Sequence, residues 1–173
     1  RFFPNELEDR RAEVASEVWE TVKNRQDVGL RRLRGYLHQF RARGVSAFLA
    51  AAGATSPDMD VFGTRDGTLL MLASEQGLVD VVGELLQLRA DPTRTTSTPF
   101  GFGGVSALQL AAGQGHEEVV SALLGTTEWN EGLIAEALGA AIERGQPLGA
   151  LMSAAAATGS GLETRSHFGL APL

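Results

Sequence analysis

The 173-residue sequence contains no cysteine. That absence excludes disulfide staples, thiolate zinc sites and thiol catalysis, and it fits a reducing setting such as the cytoplasm or an organelle interior. No apolar run approaches the roughly 20 residues that a membrane helix needs. The longest, Gly44 to Ala54, is too short, so no transmembrane segment is expected. The patterns G-x-x-x-x-G-K-[ST], G-x-S-x-G, H-E-x-x-H and the Cys/His zinc spacings are all missing. Of the three histidines, His38 sits among arginines, His167 lies in a loop, and His116 has no Ser, Asp or Cys partner at a motif spacing. Asp58 and Asp60, in "DMD", lie on a loop with no glycine turn and no distal glutamate. They do not make an EF-hand and read as solvated acids. No catalytic residue, cofactor or metal is expected.

What is present is an ordinary globular composition, 43% hydrophobic and 21% charged. The sequence opens at Arg1 without an initiator methionine, which reads as a processed product or part of something longer. Charge is unevenly spread. Residues 1–43 hold ten of the fifteen Lys/Arg and seven acids, about +3, and the remainder holds five basic and fourteen acidic side chains, about −9. The acidic bulk repels nucleic acid, so no DNA partner is expected.

The strongest signal is internal repetition. "TLLMLASEQG" (68–77) and "SALQLAAGQG" (106–115) align at an offset of 38, and the offset holds through Val81-Val82 against Val119-Val120 and Leu85-Leu86 against Leu123-Leu124. A fixed period of this size marks stacked supersecondary units. Each unit reads as two short helices. Thr68 or Ser106 caps the first, and Gly77 or Gly115 ends it in the left-handed conformation. Ala73, Ser74, Ala111 and Ala112 suit an inner helix packed too closely for bulk. One such pair cannot bury its own apolar faces, so copies must stack.

These residues resemble the ankyrin repeat, G-x-T-P-L-H-x-A-A-x-x-G-H-x-x-V-V-x-x-L-L-x-x-G-A-D. Gly104 to Ala112 occupies its first nine places, with Gly115-His116 and Val119-Val120 following in register. The earlier copy has Asp66 for the family's Gly and Leu69 for its Pro, and it closes on Arg89-Ala90-Asp91-Pro92, with Arg in place of Gly. Weaker copies flank these two. Ala137-Leu138, Ala140-Ala141 and Gly145 fit an inner helix, Gly169 to Leu173 opens another unit, and Val18 to Leu37 fits an irregular first copy. "GVSAFLAAAG" (44–53) lies too close to Thr68 to begin a unit and reads as an outer helix.

The resemblance implies an all-α ankyrin-repeat solenoid of about four helix-turn-helix units with connecting hairpin loops and an atypical N-terminal unit. The expected organisation is an N-terminal extension over 1–14, with Asn5 as a helix cap. An irregular first unit with a basic helix and long loop follows over 15–65, then a repeat with an extended loop over 66–103. A repeat over 104–130 comes next, and a degenerate repeat with the start of the next occupies 131–173. His116 is expected to hydrogen-bond within the inter-repeat turn.

Two stretches depart from the pattern. The 38-residue spacing exceeds the usual period of about 33 and places five extra residues in "DPTRTTSTPFGFGG" (91–104). There Phe100 and Phe102 either fold back on the adjacent repeat or serve as an aromatic anchor for a partner. In "LRRLRGYLHQFRAR", Leu30, Leu33, Leu37 and Phe40 recur at helical intervals while Arg31, Arg32, Arg34, Arg41 and Arg43 take the other face. That face is either the polar exterior of a capping unit or a weak contact for an anionic membrane, RNA or an acidic neighbour.

Function follows from the resemblance: a non-catalytic module that binds one or more proteins, as a scaffold or adaptor. The alternative is a structural subunit held permanently in a large, possibly organellar, complex. Ankyrin repeats bind through hairpin tips and the exposed positions of inner helices. On this chain those positions are Arg65, Asp66, Met71, Glu75, Arg94, Thr95, Phe100, Phe102, Gln109, Gln114, Glu143, Arg144 and Phe168.

Overall fold

A computed structural model describes residues 4–24, 26–59, 67–96, 104–126, 129–147 and 149–157. Among them lie nine helices: α1 (Pro4–Asn24), α2 (Gln26–Phe40), α3 (Ala42–Ala51), α4 (Leu69–Glu75), α5 (Val79–Gln87), α6 (Ala107–Gln114), α7 (Glu117–Leu124), α8 (Glu131–Glu143) and α9 (Gly149–Ala157). No strand forms among the described residues. An isolated bridge pairs Thr95 with Ser106.

The inner helices start where a short side chain satisfies an orphan backbone N–H. Thr68 Oγ1 accepts from Met71 N at 3.3 Å, Ser106 Oγ from Gln109 N at 3.1 Å and Asn130 Oδ1 from Leu133 N at 3.2 Å. At Thr68 the bond is reciprocated, its own N–H donating to Met71 Sδ at 3.5 Å. The same helices end one way. Gly77, Gly115 and Gly145 have φ of 68°, 77° and 65°, and the next amide turns back to the helix, as in Leu78 N to Ala73 O and His116 N to Ala111 O, both 3.0 Å. Arg89, where the family has glycine, takes φ 68° without glycine's freedom, and Ala90 N returns to Leu85 O at 3.0 Å.

Stacking produces two rows. In the inner row α4 packs on α6 and α6 on α8; in the outer row α3 packs on α5, α5 on α7 and α7 on α9. "GVSAFLAAAG" is thus a member of the outer row. Helix α2 joins the inner row through side chains, with Arg34 Nη2 2.7 Å from Glu75 Oε2. The described residues therefore form four helix pairs, α2/α3, α4/α5, α6/α7 and α8/α9, with α1 laid across α2 and α3.

This arrangement refines the N-terminal expectation. The boundary expected at residues 14–15 falls inside α1, which runs unbroken from Pro4 to Asn24. Asn5 lies in its first turn rather than before it, because proline fits the first helical position, where no N–H is needed. Val18 to Leu37 spans the end of α1 and most of α2 rather than one inner–outer pair. Packing explains the difference: Ala15, Val18 and Val22 of α1 are buried, and a Cβ on Gly29 of α2 would lie 2.5 Å from Val22 Cα. Trp19, Tyr36 and Phe48 close this corner, with Trp19 and Phe48 edge to face at 6.1 Å. Tyr36 Oη donates to Gly44 O at 2.9 Å.

One continuous core runs along the rows, from Val18 and Leu33 through Leu70, Leu85, Leu108, Val119 and Leu123 to Leu138 and Leu151. The caps Thr68 and Ser106 are buried beside this seam, while Gln114, Glu143 and Arg144 at the far ends of the inner helices stay outside.

Candidate functional site

A ladder of polar side chains crosses the inner row. The residue before the left-handed glycine that ends each of α4, α6 and α8 is Gln76, Gln114 and Arg144 in turn. Gln76 is half-buried, while Gln114 and Arg144 are exposed. His38 of α2 extends the row, its Nε2 lying 3.5 Å from Gln76 Oε1. Gln76 and His38 are absent from the residues chosen by sequence, although the constant place before a turn glycine identifies Gln76.

Close stacking holds this ladder in place. His116 Nε2 lies 3.1 Å from the Glu75 carbonyl, so the expected hydrogen bond forms between units. A Cβ on Gly77 would lie 2.7 Å from His116 Nδ1, and one on Gly115 would run into Gln146 Oε1. His116, after Gly115, and Gln146, after Gly145, thus pack on the previous unit's turn glycine. A cleft of about 330 Å3 opens beside this contact, lined by Gly77, Gly115, His116 and Glu117 among others.

The hairpin arms form a second edge. Thr96 N donates to Val105 O at 3.0 Å and Val105 N to Thr96 Oγ1 at 2.9 Å. Asp58, read as a solvated acid, instead accepts from Asp91 N at 2.9 Å, while Arg94 Nη1 donates to Asp58 O at 2.9 Å. The acid ties one connection to the next. No cluster of three or more His, Cys, Asp or Glu suited to a metal occurs among the described residues.

The sequence-derived positions divide accordingly. Gln114, Glu143 and Arg144 are exposed, as are Arg94 and Thr95. Glu75 is partly exposed and paired with Arg34. Met71 is a correction: it is 1% exposed, because the third position of α4 turns into the core and its sulfur serves the cap. Gln109, the equivalent residue of α6, is half-buried, and its Oε1 is enclosed with no hydrogen-bond partner among the described residues. Arg65, Asp66, Phe100, Phe102 and Phe168 lie outside the described residues, as does Gly169 to Leu173.

The basic face is also divided. Arg34 pairs with Glu75, and Arg41 Nε lies 3.2 Å from Asp80 Oδ2. Both are therefore directed at the following unit rather than held free on a separate face. Arg41 does this with φ 54°, a conformation strained for a side-chain-bearing residue. Arg31, Arg32 and Arg43 are exposed, with Arg32 Nη1 3.4 Å from Thr21 Oγ1. A cleft of about 530 Å3 lies at this corner, lined by Arg11, Arg41, Arg43, Phe40 and Asp80 among others.

Paired helices in two rows, repeated caps and repeated turn glycines define a helical-repeat protein whose surface is a series of equivalent positions. A family model of the ankyrin repeat matches residues 66–97. Over that stretch the chain carries an ankyrin repeat, and ankyrin repeats are protein–protein interaction modules, generally non-catalytic. Comparison with curated proteins and with solved structures gave no match. No helix among the described residues is long and apolar enough to cross a membrane.

Proposed function

We propose that the protein is a recognition scaffold that holds a partner protein along the ladder Gln76, Gln114 and Arg144. Glu75 and Glu143 flank that ladder, and Arg94 and Thr95 stand on the hairpin edge. The observation that carries this reading is the recurrence of a long polar side chain at one structural place in three successive units. Such a row sits on rigid, mutually packed turns, so docking costs little conformational entropy and modest contacts suffice. Arg65, Asp66, Phe100, Phe102 and Phe168 extend the proposed surface on the strength of the family resemblance. Weak anionic contact through Arg31, Arg32 and Arg43 is a subsidiary role.

A permanent structural place in a larger complex is the second reading. The exposed Val28 and Leu88, at 46% and 38%, favour it, since apolar groups outside the ladder would be covered by fixed neighbours.

Proteins that co-purify with the chain supply the partner for a titration. Gln114→Ala combined with Arg144→Ala is expected to weaken binding about tenfold or more, as loss of two interface anchors does. Glu118→Ala, on the outer row, is expected to leave it unchanged. Equal effects of the two variants, or none from the first, refute the ladder. A partner released only by denaturant selects the permanent complex.

A further inference from the structure

The last helix pair ends the described stack with positions that earlier pairs bury. Three residues before the turn glycine stand Ser74 in α4, Ala112 in α6 and Ile142 in α8. The first two are 0% and 3% exposed, whereas Ile142 is 62% exposed. In the outer row α5, α7 and α9 each have a buried pair four residues apart, Val81/Leu85, Val119/Leu123 and Leu151/Ala155. The residue after the first member is Val82, Val120 and Met152, at 0%, 4% and 42% exposure. Two apolar side chains, one in each row, therefore occupy places that are buried in the α4/α5 and α6/α7 pairs.

The sequence beyond α9 contains the matching piece. Gly169-Leu170-Ala171-Pro172-Leu173 aligns with Gly104-Val105-Ser106-Ala107-Leu108, the stretch that begins α6, with Gly and Leu at the same ends and Ala171 lacking the capping hydroxyl of Ser106. Its spacing is permitted. From the end of one outer helix to the next cap is 19 positions in one case (Gln87 to Ser106) and 6 in the next (Leu124 to Asn130). Ala157 to Ala171 is 14. At about 3.3 Å per residue this connection easily crosses the roughly 10 Å to a neighbouring helix axis.

We propose that the Ile142–Met152 face is a docking surface for residues 169–173 of this chain, with Leu170 and Leu173 lying on it as the opening turn of a further unit. This interaction is intramolecular and independent of the ladder, so failure of either reading leaves the other standing. It makes the apolar end of the stack a covered interface rather than a free one.

The chain's three methionines provide the test. Peroxide oxidation is followed residue by residue by mass spectrometry on the full chain, with the buried Met71 as the slow reference. Met152 is expected to react slowly, and Leu170→Asp with Leu173→Asp to accelerate it about tenfold while Met71 stays slow. Three results overturn the proposal: Met152 reacting like free methionine in the native chain, protection that the aspartates do not change, or protection lost on dilution, which would mean a second copy. Should the aspartates loosen the whole fold and speed Met71 too, engineered thiols decide the matter in a chain otherwise free of cysteine. Ile142→Cys with Leu173→Cys is expected to close an intramolecular disulfide about tenfold faster than Arg31→Cys with Leu173→Cys, because closure requires Cα atoms roughly 4.4–6.8 Å apart. Equal rates overturn the docking.

Discussion

Replacing Gly77 with alanine separates a backbone requirement from an inter-repeat contact. Gly77 and Gly145 share nearly the same left-handed φ, 68° and 65°. A Cβ on Gly145 meets nothing within 4 Å, whereas one on Gly77 lies 2.7 Å from His116 Nδ1 and 2.8 Å from its Cε1. Both substitutions incur the left-handed penalty of about 1–2 kcal/mol. Gly77→Ala must also displace the imidazole, breaking its contact with the Glu75 carbonyl at 3.1 Å. That adds about 0.5–1.5 kcal/mol for the lost hydrogen bond. The expected losses are therefore about 1.5–3.5 kcal/mol for Gly77→Ala and about 1–2 kcal/mol for Gly145→Ala, read from urea midpoints at fixed slope. In a His116→Ala background, Gly77→Ala should fall to the Gly145→Ala value, since the ring it strikes is gone. Equal costs for the two glycines, or a Gly77→Ala cost unchanged by removing the imidazole, would refute the claim that this packing ties the units together.

Burial, opposed more weakly by the Arg11 charge, raises the Tyr36 phenol from the ordinary 10 to about 12. The unfolded chain releases this proton first, so the stabilisation is complete below pH 10 and fades as pH rises from 10 to 12. Its upper limit is about 2–3 kcal/mol for a shift of this size. Tyr36 is the chain's single tyrosine, so absorbance near the phenolate band follows it directly, and Tyr36→Phe should flatten the stability decline in that window. Arg89→Gly removes the strain of a non-glycine residue at φ 68° and should raise stability by about 0.5–1 kcal/mol once the looser unfolded chain is counted. A shift of the denaturation midpoint in the other direction would show that the Arg89 side chain has a stabilising contact.

The sequence by itself determined the repeated unit. Thr68 and Ser106 as caps, Gly77 and Gly115 as stops, and the valine and leucine pairs of the outer helices are local chemistry, set by backbone geometry and side-chain shape within a few residues. For that reason the period, the two-helix unit and the outer role of residues 44–53 were legible before any coordinates. The less regular beginning was not: α1 and α2 meet through Gly29 against Val22, a contact between segments that no period links. Tertiary packing alone also decided which polar residues remain available. Met71 and Gln109 occupy equivalent places on two inner helices, yet one is enclosed and the other half-buried, because burial depends on what the stack lays over each helix. Arg34 and Arg41 look like an unpaired basic face in one helix; they become ion-pair partners only when the next unit brings Glu75 and Asp80 within reach.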